Sequence, residues 1–169
     1  MKSKALVFGS LLFVLGTISF GTGSQEFRTC FLPYEDCRAR LIDFLSAAEA
    51  SIDIAIYHLK DPSVLETLAK KSEEGVKVRI VLDTEKATKR AQQIEKLEKH
   101  GVHLRYGVQE GNMHNKFALV DGEDLEVGSM NYTKNSFQKN QENSIFTTNP
   151  VLVSQYQSYF ERLWDSSEK

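Results

Sequence analysis

The stretch SIDIAIYHLKDPSVLETLAKKSEEGVKVRIVL, residues 51–82, reads as strand, helix, strand. Its first seven residues alternate, with Ile52, Ile54 and Ile56 on one face, which is the period of a strand. Asp61 ahead of Pro62 is a helix start, because the carboxylate accepts a first-turn N–H and proline needs no partner there. The helix runs to about Glu74, and Gly75 supplies its stop. Val76 to Leu82 is the second strand. Such a unit pairs its strands in parallel through a right-handed crossover, so it selects a layered α/β sheet.

Working outward, Phe27–Leu32 is a short strand ended by Pro33, and Glu35–Ala50 is a helix with Leu41, Ile42, Leu45 and Ala48 at helical spacing. On the other side the spacing predicts a helix over Glu85–His100 with Ala87, Ala91, Ile94 and Leu97 inward, then Gly101 and a strand over Val102–Tyr106. There the pattern changes. Lys116–Asp121 and Asp124–Ser129 are apolar runs joined by Asp121-Gly122, a hairpin signal. A short helical piece from about Asn131, a strand over Asn143–Thr148 and an amphipathic helix over Pro150–Trp164 complete the chain. The fold class is α/β: a mixed sheet flanked by helices on both faces, in one domain from about residue 25 to residue 169.

The 169 residues suffice for one core and not for two domains of ordinary size. Residues 1–23 stand apart from that domain. Lys2 and Lys4 precede an uncharged segment, Ala5–Phe20, and small residues follow from Gly21 to Ser24. This is the layout of an export signal cut after Gly23, or of a retained anchor, although the apolar run is shorter than the roughly 20 residues of a comfortable span. The expected location is periplasmic or secreted, with membrane association if the segment stays. Cys30 and Cys37 fit an oxidising compartment as a bridge and fit equally a pair of buried thiols. The formal net charge is −2, or −4 without Lys2 and Lys4, which argues against bulk attraction to nucleic acid and leaves only local basic patches.

The chemistry gathers around HNKFALVD, residues 114–121. On a strand His114 and Lys116 share a face with Ala118, and a lysine there must see an anion or solvent. Across the hairpin GSMN, residues 128–131, comes back beside them with the Ser129 hydroxyl and the Asn131 amide. A cation, an imidazole and neutral donors at one spot form a kit for a phosphate ester. Lys116, Ser129 and Asn131 would hold oxygens, with His114 attacking phosphorus or moving a proton. Glu142 is the best-placed carboxylate to fix the second imidazole nitrogen. Basic residues that could reach a polyanion are Lys86, Lys89 and Arg90, and nearer the site Lys134 and Lys139. His100 and His103 read as structural.

His114-x-Lys116-x4-Asp121, then Gly128-Ser129-x-Asn131, then Asn140-x-Glu142, resembles the signature of the phospholipase D superfamily, and a short exported chain with one such motif looks most like the bacterial Nuc-type endonucleases. The resemblance implies a phospholipase D-like fold with one such unit per chain. It implies a metal-independent, cofactor-free phosphodiesterase acting through a phosphohistidine on DNA or RNA. The catalytic set would be His114, Lys116, Asp121 and Glu142, with Lys116, Ser129, Asn131 and Lys134 on the substrate. Two histidines are needed and one motif is present, so a homodimer would share one site; His58 is the alternative in cis. Asp121, at the turn, is expected to support rather than react. A phospholipase of the cardiolipin hydrolase type is the alternative function, and an inactive phosphate-binding module a third.

Overall fold

A computed structural model describes residues 26–89, 91–107 and 111–168. The segment 1–23 and Arg90 lie outside the described residues. Seven strands form one sheet in the order β1-β7-β6-β5-β2-β3-β4. They are β1 (Phe27–Leu32), β2 (Ser51–Ile56), β3 (Lys77–Asp83), β4 (His103–Gly107), β5 (Lys116–Val120), β6 (Asp124–Gly128) and β7 (Glu142–Thr147). Strands β2, β3 and β4 pair in parallel, as the opening stretch required, and the remaining pairs are antiparallel.

Helices α1 (Cys37–Ser46), α2 (Pro62–Glu73) and α4 (Ala91–Lys99) cover one face, where Leu41, Leu45, Val64, Leu68, Ile94 and Leu97 join Ile52, Ile54, Ile56, Val78 and Ile80 in the larger core. Helix α6 (Pro150–Ser166) covers the other, with Val153 and Phe160 against Ala55, Val81, Phe117, Leu119 and Leu125. Asp61 caps α2 through its carboxylate, as its placement before Pro62 predicts. Cys30 and Cys37 form a disulfide that joins β1 to the first residue of α1. At the outer edge of β1 the Phe31 N–H donates to Glu35 at 2.8 Å and the Thr29 carbonyl accepts from Arg40, which covers part of that edge.

Helix α6 is clamped to the sheet by charge as well as packing. Arg79 of β3 donates to both oxygens of Asp53 on β2 at 2.7 Å and to Glu161 of α6 at 2.6 and 3.1 Å. Its guanidinium also lies over the Phe160 and Trp164 rings.

The larger departures from the periodicity are in the helices, and the first helix also stops early, at Ser46. The helix expected over 85–100 is two pieces, α3 (Thr84–Thr88) and α4, because α3 is pinned to the sheet end. Asp83 caps it by accepting the Lys86 N–H, and the Thr84 hydroxyl donates to the Gly107 carbonyl at 2.7 Å. The first helix starts only at Cys37, where Asp36 accepts the Ala39 N–H. The short helix α5 (Lys134–Lys139) starts three residues later than expected, because Tyr132 is drawn into a parallel bridge with Leu59 and Thr133 becomes the cap.

Candidate active site

Topology assembles the site before any side chain is considered. The carboxyl ends of β2, β3 and β6 and the amino ends of β5 and β7 lie on one edge of the sheet. Ile56 pairs with Lys116, and Phe117 with Val127, which brings Lys116 alongside Gly128. Gly128 is required by that approach: a Cβ there would lie 2.1 Å from the Asn143 carbonyl oxygen. Beyond it, the Tyr132 carbonyl accepts the N–H groups of Lys60 and Asp61, so the Asn131 segment is docked against the loop after β2.

His114 is exposed, and its imidazole packs on the Tyr57 ring with centroids 4.4 Å apart. Lys116 is buried, and its ammonium donates to the His114 carbonyl at 2.7 Å and lies 3.2 Å from His114 Nδ1. Burial pushes the Lys116 pKa down, while the charge of Glu142 acts in the opposite direction. A neutral His114 that accepts from this ammonium at Nδ1 carries its proton on Nε2, the nitrogen that faces away from the lysine. In that form Nε2 has no free lone pair, so attack through Nε2 requires the proton to move to Nδ1, and giving a proton from Nε2 requires both ring nitrogens to be protonated first; in either case the Lys116 ammonium must turn from Nδ1 to another acceptor.

Glu142 does not perform the role the sequence suggested. Its carboxylate accepts from the Ser129 hydroxyl at 2.5 Å, the Ser136 hydroxyl at 3.1 Å and the Asn140 amide at 2.9 Å. Three donors from the turn, α5 and the residue after it engage the carboxylate within its own chain, and it serves as the anion that the Lys116 face needs. Ser129 is corrected with it: its hydroxyl also accepts the Asn143 N–H at 3.1 Å, so it orders the turn rather than presenting a free donor. Asn131 is different. Its Oδ1 is buried with no hydrogen-bond partner among the described residues; that atom is an acceptor, so a substrate oxygen would have to be met by the amide's N–H groups instead. Lys134 is exposed at the start of α5, three positions past Asn131. His58 stands with its ring 6.4 Å from that of Tyr57, on the loop after β2.

Asp121 lies at the far end of β5, about 17 Å from Lys116 at the rise of a strand. Placing it in the catalytic set is therefore corrected. It sits at a positive φ of 54° and accepts the N–H groups of Glu49, Ala50 and Ser51 at 2.9, 2.7 and 2.7 Å. Burial alone would raise its pKa, but those three N–H groups, helped by Lys71, hold it below the ordinary carboxylate range. Its contribution is present above about pH 4, the pKa of an unfolded aspartate, and is lost as pH falls through the lower folded value. Asp121→Ala is expected to cost about 2 kcal/mol in urea unfolding at pH 7. Any phosphodiesterase activity should fall less than tenfold per folded molecule. Full stability with an activity loss near that of a His114 variant would refute this placement.

Sequence reasoning missed Glu126. It lies in the middle of β6 and is fully buried on the larger core's side of the sheet, accepting from the Tyr132 hydroxyl at 2.5 Å and from Ser144. The signal was an acid between Leu125 and Val127 in an apolar run, which reads as solvated unless the opposing tyrosine is known. Its bond to Tyr132 ties the Asn131 segment to the sheet. Burial, only partly offset by Ser144 and Tyr132, pushes its pKa from 4.5 to about 7. Because the folded value is raised, the stabilisation is full below about pH 4.5 and is lost as pH rises through about 7. The size is on the order of 3 kcal/mol. Glu126→Gln should flatten the urea midpoint over that window; an unchanged pH slope would show that Glu126 is ionised in the folded protein.

Among the described residues no group of three or more His, Cys, Asp or Glu is arranged to hold a metal ion. The residues that gather are an imidazole, a buried ammonium, an amide and a glutamate behind them, on one edge of a mixed sheet. That combination defines the phospholipase D-like class. The family described as cardiolipin synthase, PLD-like domain, matches residues 41–164, and the chain belongs to the phospholipase D superfamily. It is 36% identical over 138 residues to the mitochondrial cardiolipin hydrolase of Xenopus laevis, covering 81% of this chain and 66% of the relative. It is 35% identical over 137 residues to the Homo sapiens protein of that name, covering 80% and 54%. The chain thus spans between about half and two thirds of the length of these curated relatives. Among solved structures, a phospholipase D family member, Nuc from Salmonella typhimurium, superposes with a TM-score of 0.79 at 26% identity, over 85% of this chain and 97% of that one. NucT from Helicobacter pylori gives 0.78 at 27% identity, over 85% and 98%.

Proposed function

We propose that this chain is an exported phosphodiesterase that hydrolyses nucleic acid through a phosphohistidine, with one active site shared by two copies. The observation that carries the reading is the pairing of an exposed His114 with a buried Lys116. His114 Nε2 of one copy attacks phosphorus, and the P–O bond to the leaving group breaks as the second copy's imidazole protonates that oxygen. Water then attacks the phosphohistidine, giving its proton back to the second imidazole, and the P–N bond breaks. Lys116 balances the charge on the non-bridging oxygens, and the N–H groups of the Asn131 amide would donate to them. The exposure of His114 supports sharing, since a two-fold axis beside it brings its copy within reach.

Likeness to the two Nuc structures over nearly their whole length supports a nucleic acid substrate. The identity to the mitochondrial cardiolipin hydrolases supports a lipid phosphodiester equally well, and this is the second reading. Purified protein with excess chelator, given single- and double-stranded DNA and RNA and cardiolipin vesicles in parallel, separates the two. Cleavage of nucleic acid at undiminished rate is expected. Cleavage of cardiolipin alone would transfer the reading to lipid, and loss of all cleavage on chelation would defeat the phosphohistidine mechanism.

A further inference from the structure

One cation near the site is used by neither the motif nor the mechanism above. Lys86 sits on α3, the short piece that the structure separates from α4, and its Nζ lies 5.0 Å from the centroid of the Tyr57 ring. The Lys116 Nζ lies 5.3 Å from the same centroid, and the His114 imidazole packs on that ring as well. Tyr57 is itself fixed beside the motif strand, its N–H donating to the Asn115 carbonyl at 2.9 Å. An aromatic ring holds an ammonium in place without cancelling its charge. The only carboxylate paired with Lys86 among the described residues is Glu85, at 3.4 Å, and Glu85 is held more closely by Lys89. Lys86 therefore keeps charge available for an anion one ring away from Lys116.

We propose that Lys86, seated on Tyr57, binds the phosphate adjoining the scissile one, so that a single nucleic acid strand is held at two successive phosphates across the Tyr57 ring. This rests on the phosphodiesterase reading and adds a second anion subsite to it. The pinning of α3 by Asp83 and Thr84 then has a purpose in the site: it aims Lys86 along the sheet edge instead of letting the helix continue as one piece.

The test uses a labelled single-stranded oligonucleotide bound to the full chain carrying His114→Ala, which removes cleavage. Adding Lys86→Met, which keeps most of the stem, should reduce the slope of log K against log salt by about 0.7, the value for one phosphate contact on a single strand. Lys86→Arg should restore it. With His114 intact, Lys86→Met should lower kcat/KM for the oligonucleotide about tenfold more than for bis(4-nitrophenyl) phosphate, which has no second phosphate. An unchanged salt slope, or equal losses on both substrates, would overturn the subsite and leave Lys86 a packing residue. A loss confined to cardiolipin vesicles would overturn the nucleic acid assignment in favour of a lipid with two phosphates. Failure of the unmutated chain to cleave either ester would instead sink the phosphodiesterase reading, while the salt slope would still decide the subsite.

Discussion

Replacing His114 with alanine is expected to lower phosphodiester hydrolysis by about 10⁴-fold or more, with the urea midpoint unchanged. The size follows from its role: the imidazole supplies both the nucleophile and the proton donor, and neither the Lys116 ammonium, which has no lone pair, nor the weakly basic Asn131 amide can replace it. The unchanged stability follows from its exposure and from its single packing partner of note, Tyr57. The same variant reports on assembly. When equal amounts of unmutated and His114→Ala chains are unfolded together and refolded, a shared site leaves activity only in dimers of two unmutated chains, about one quarter of the total. A site complete within one chain, with His58 as the acid, leaves about one half. Activity near one half would end the shared-site proposal without touching the phosphohistidine, so the two parts of the mechanism are tested separately.

The second large effect is on stability. Arg79→Ala is expected to cost about 3–5 kcal/mol, because it leaves Asp53 ionised and buried between the sheet and α6. The hydrogen bonds that Arg79 donates to Asp53 are foremost in raising the guanidinium's pKa, and those to Glu161 add to them against the opposing effect of burial. The loss should therefore exceed that of removing Glu161, which is partly exposed and also held by Gln157. Removing both partners, in Asp53→Ala with Arg79→Ala, should recover part of the cost, since no uncompensated charge then remains. Thermal unfolding of the four proteins in the cycle measures this. A loss under 1 kcal/mol for Arg79→Ala would mean that water reaches Asp53 and that the clamp contributes little. Activity should fall along with stability at higher temperature, because α6 supports Phe117 directly behind the motif strand.

Much of the architecture was legible because it depends on local periodicity. The alternation at Ile52, Ile54 and Ile56, the Asp61-Pro62 start and the Gly75 stop each express a backbone preference within a few residues, and the structure follows all three. The hairpin at Asp121-Gly122 was legible for the same reason: both residues adopt positive φ, which the dipeptide favours. The single helix expected over 85–100 failed because the apolar spacing continues across a place where Asp83 and Thr84 attach the first turn to the sheet. Spacing records which residues face inward and says nothing of where the axis turns.

For the site, the sequence by itself determined which residue types meet: His114 and Lys116 by strand alternation, and the GSMN turn by hairpin return. Only the tertiary structure decided how they divide the work. Glu142 and Ser129 satisfy each other, Asp121 braces the opposite edge, Glu126 is buried beneath the turn, and Lys86 arrives from a distant helix to share Tyr57 with Lys116. These are contacts between separate elements of the fold, and each is settled by competition among several polar groups for the same few partners. Local preference cannot express that competition, because its outcome depends on which groups the fold has already brought within reach.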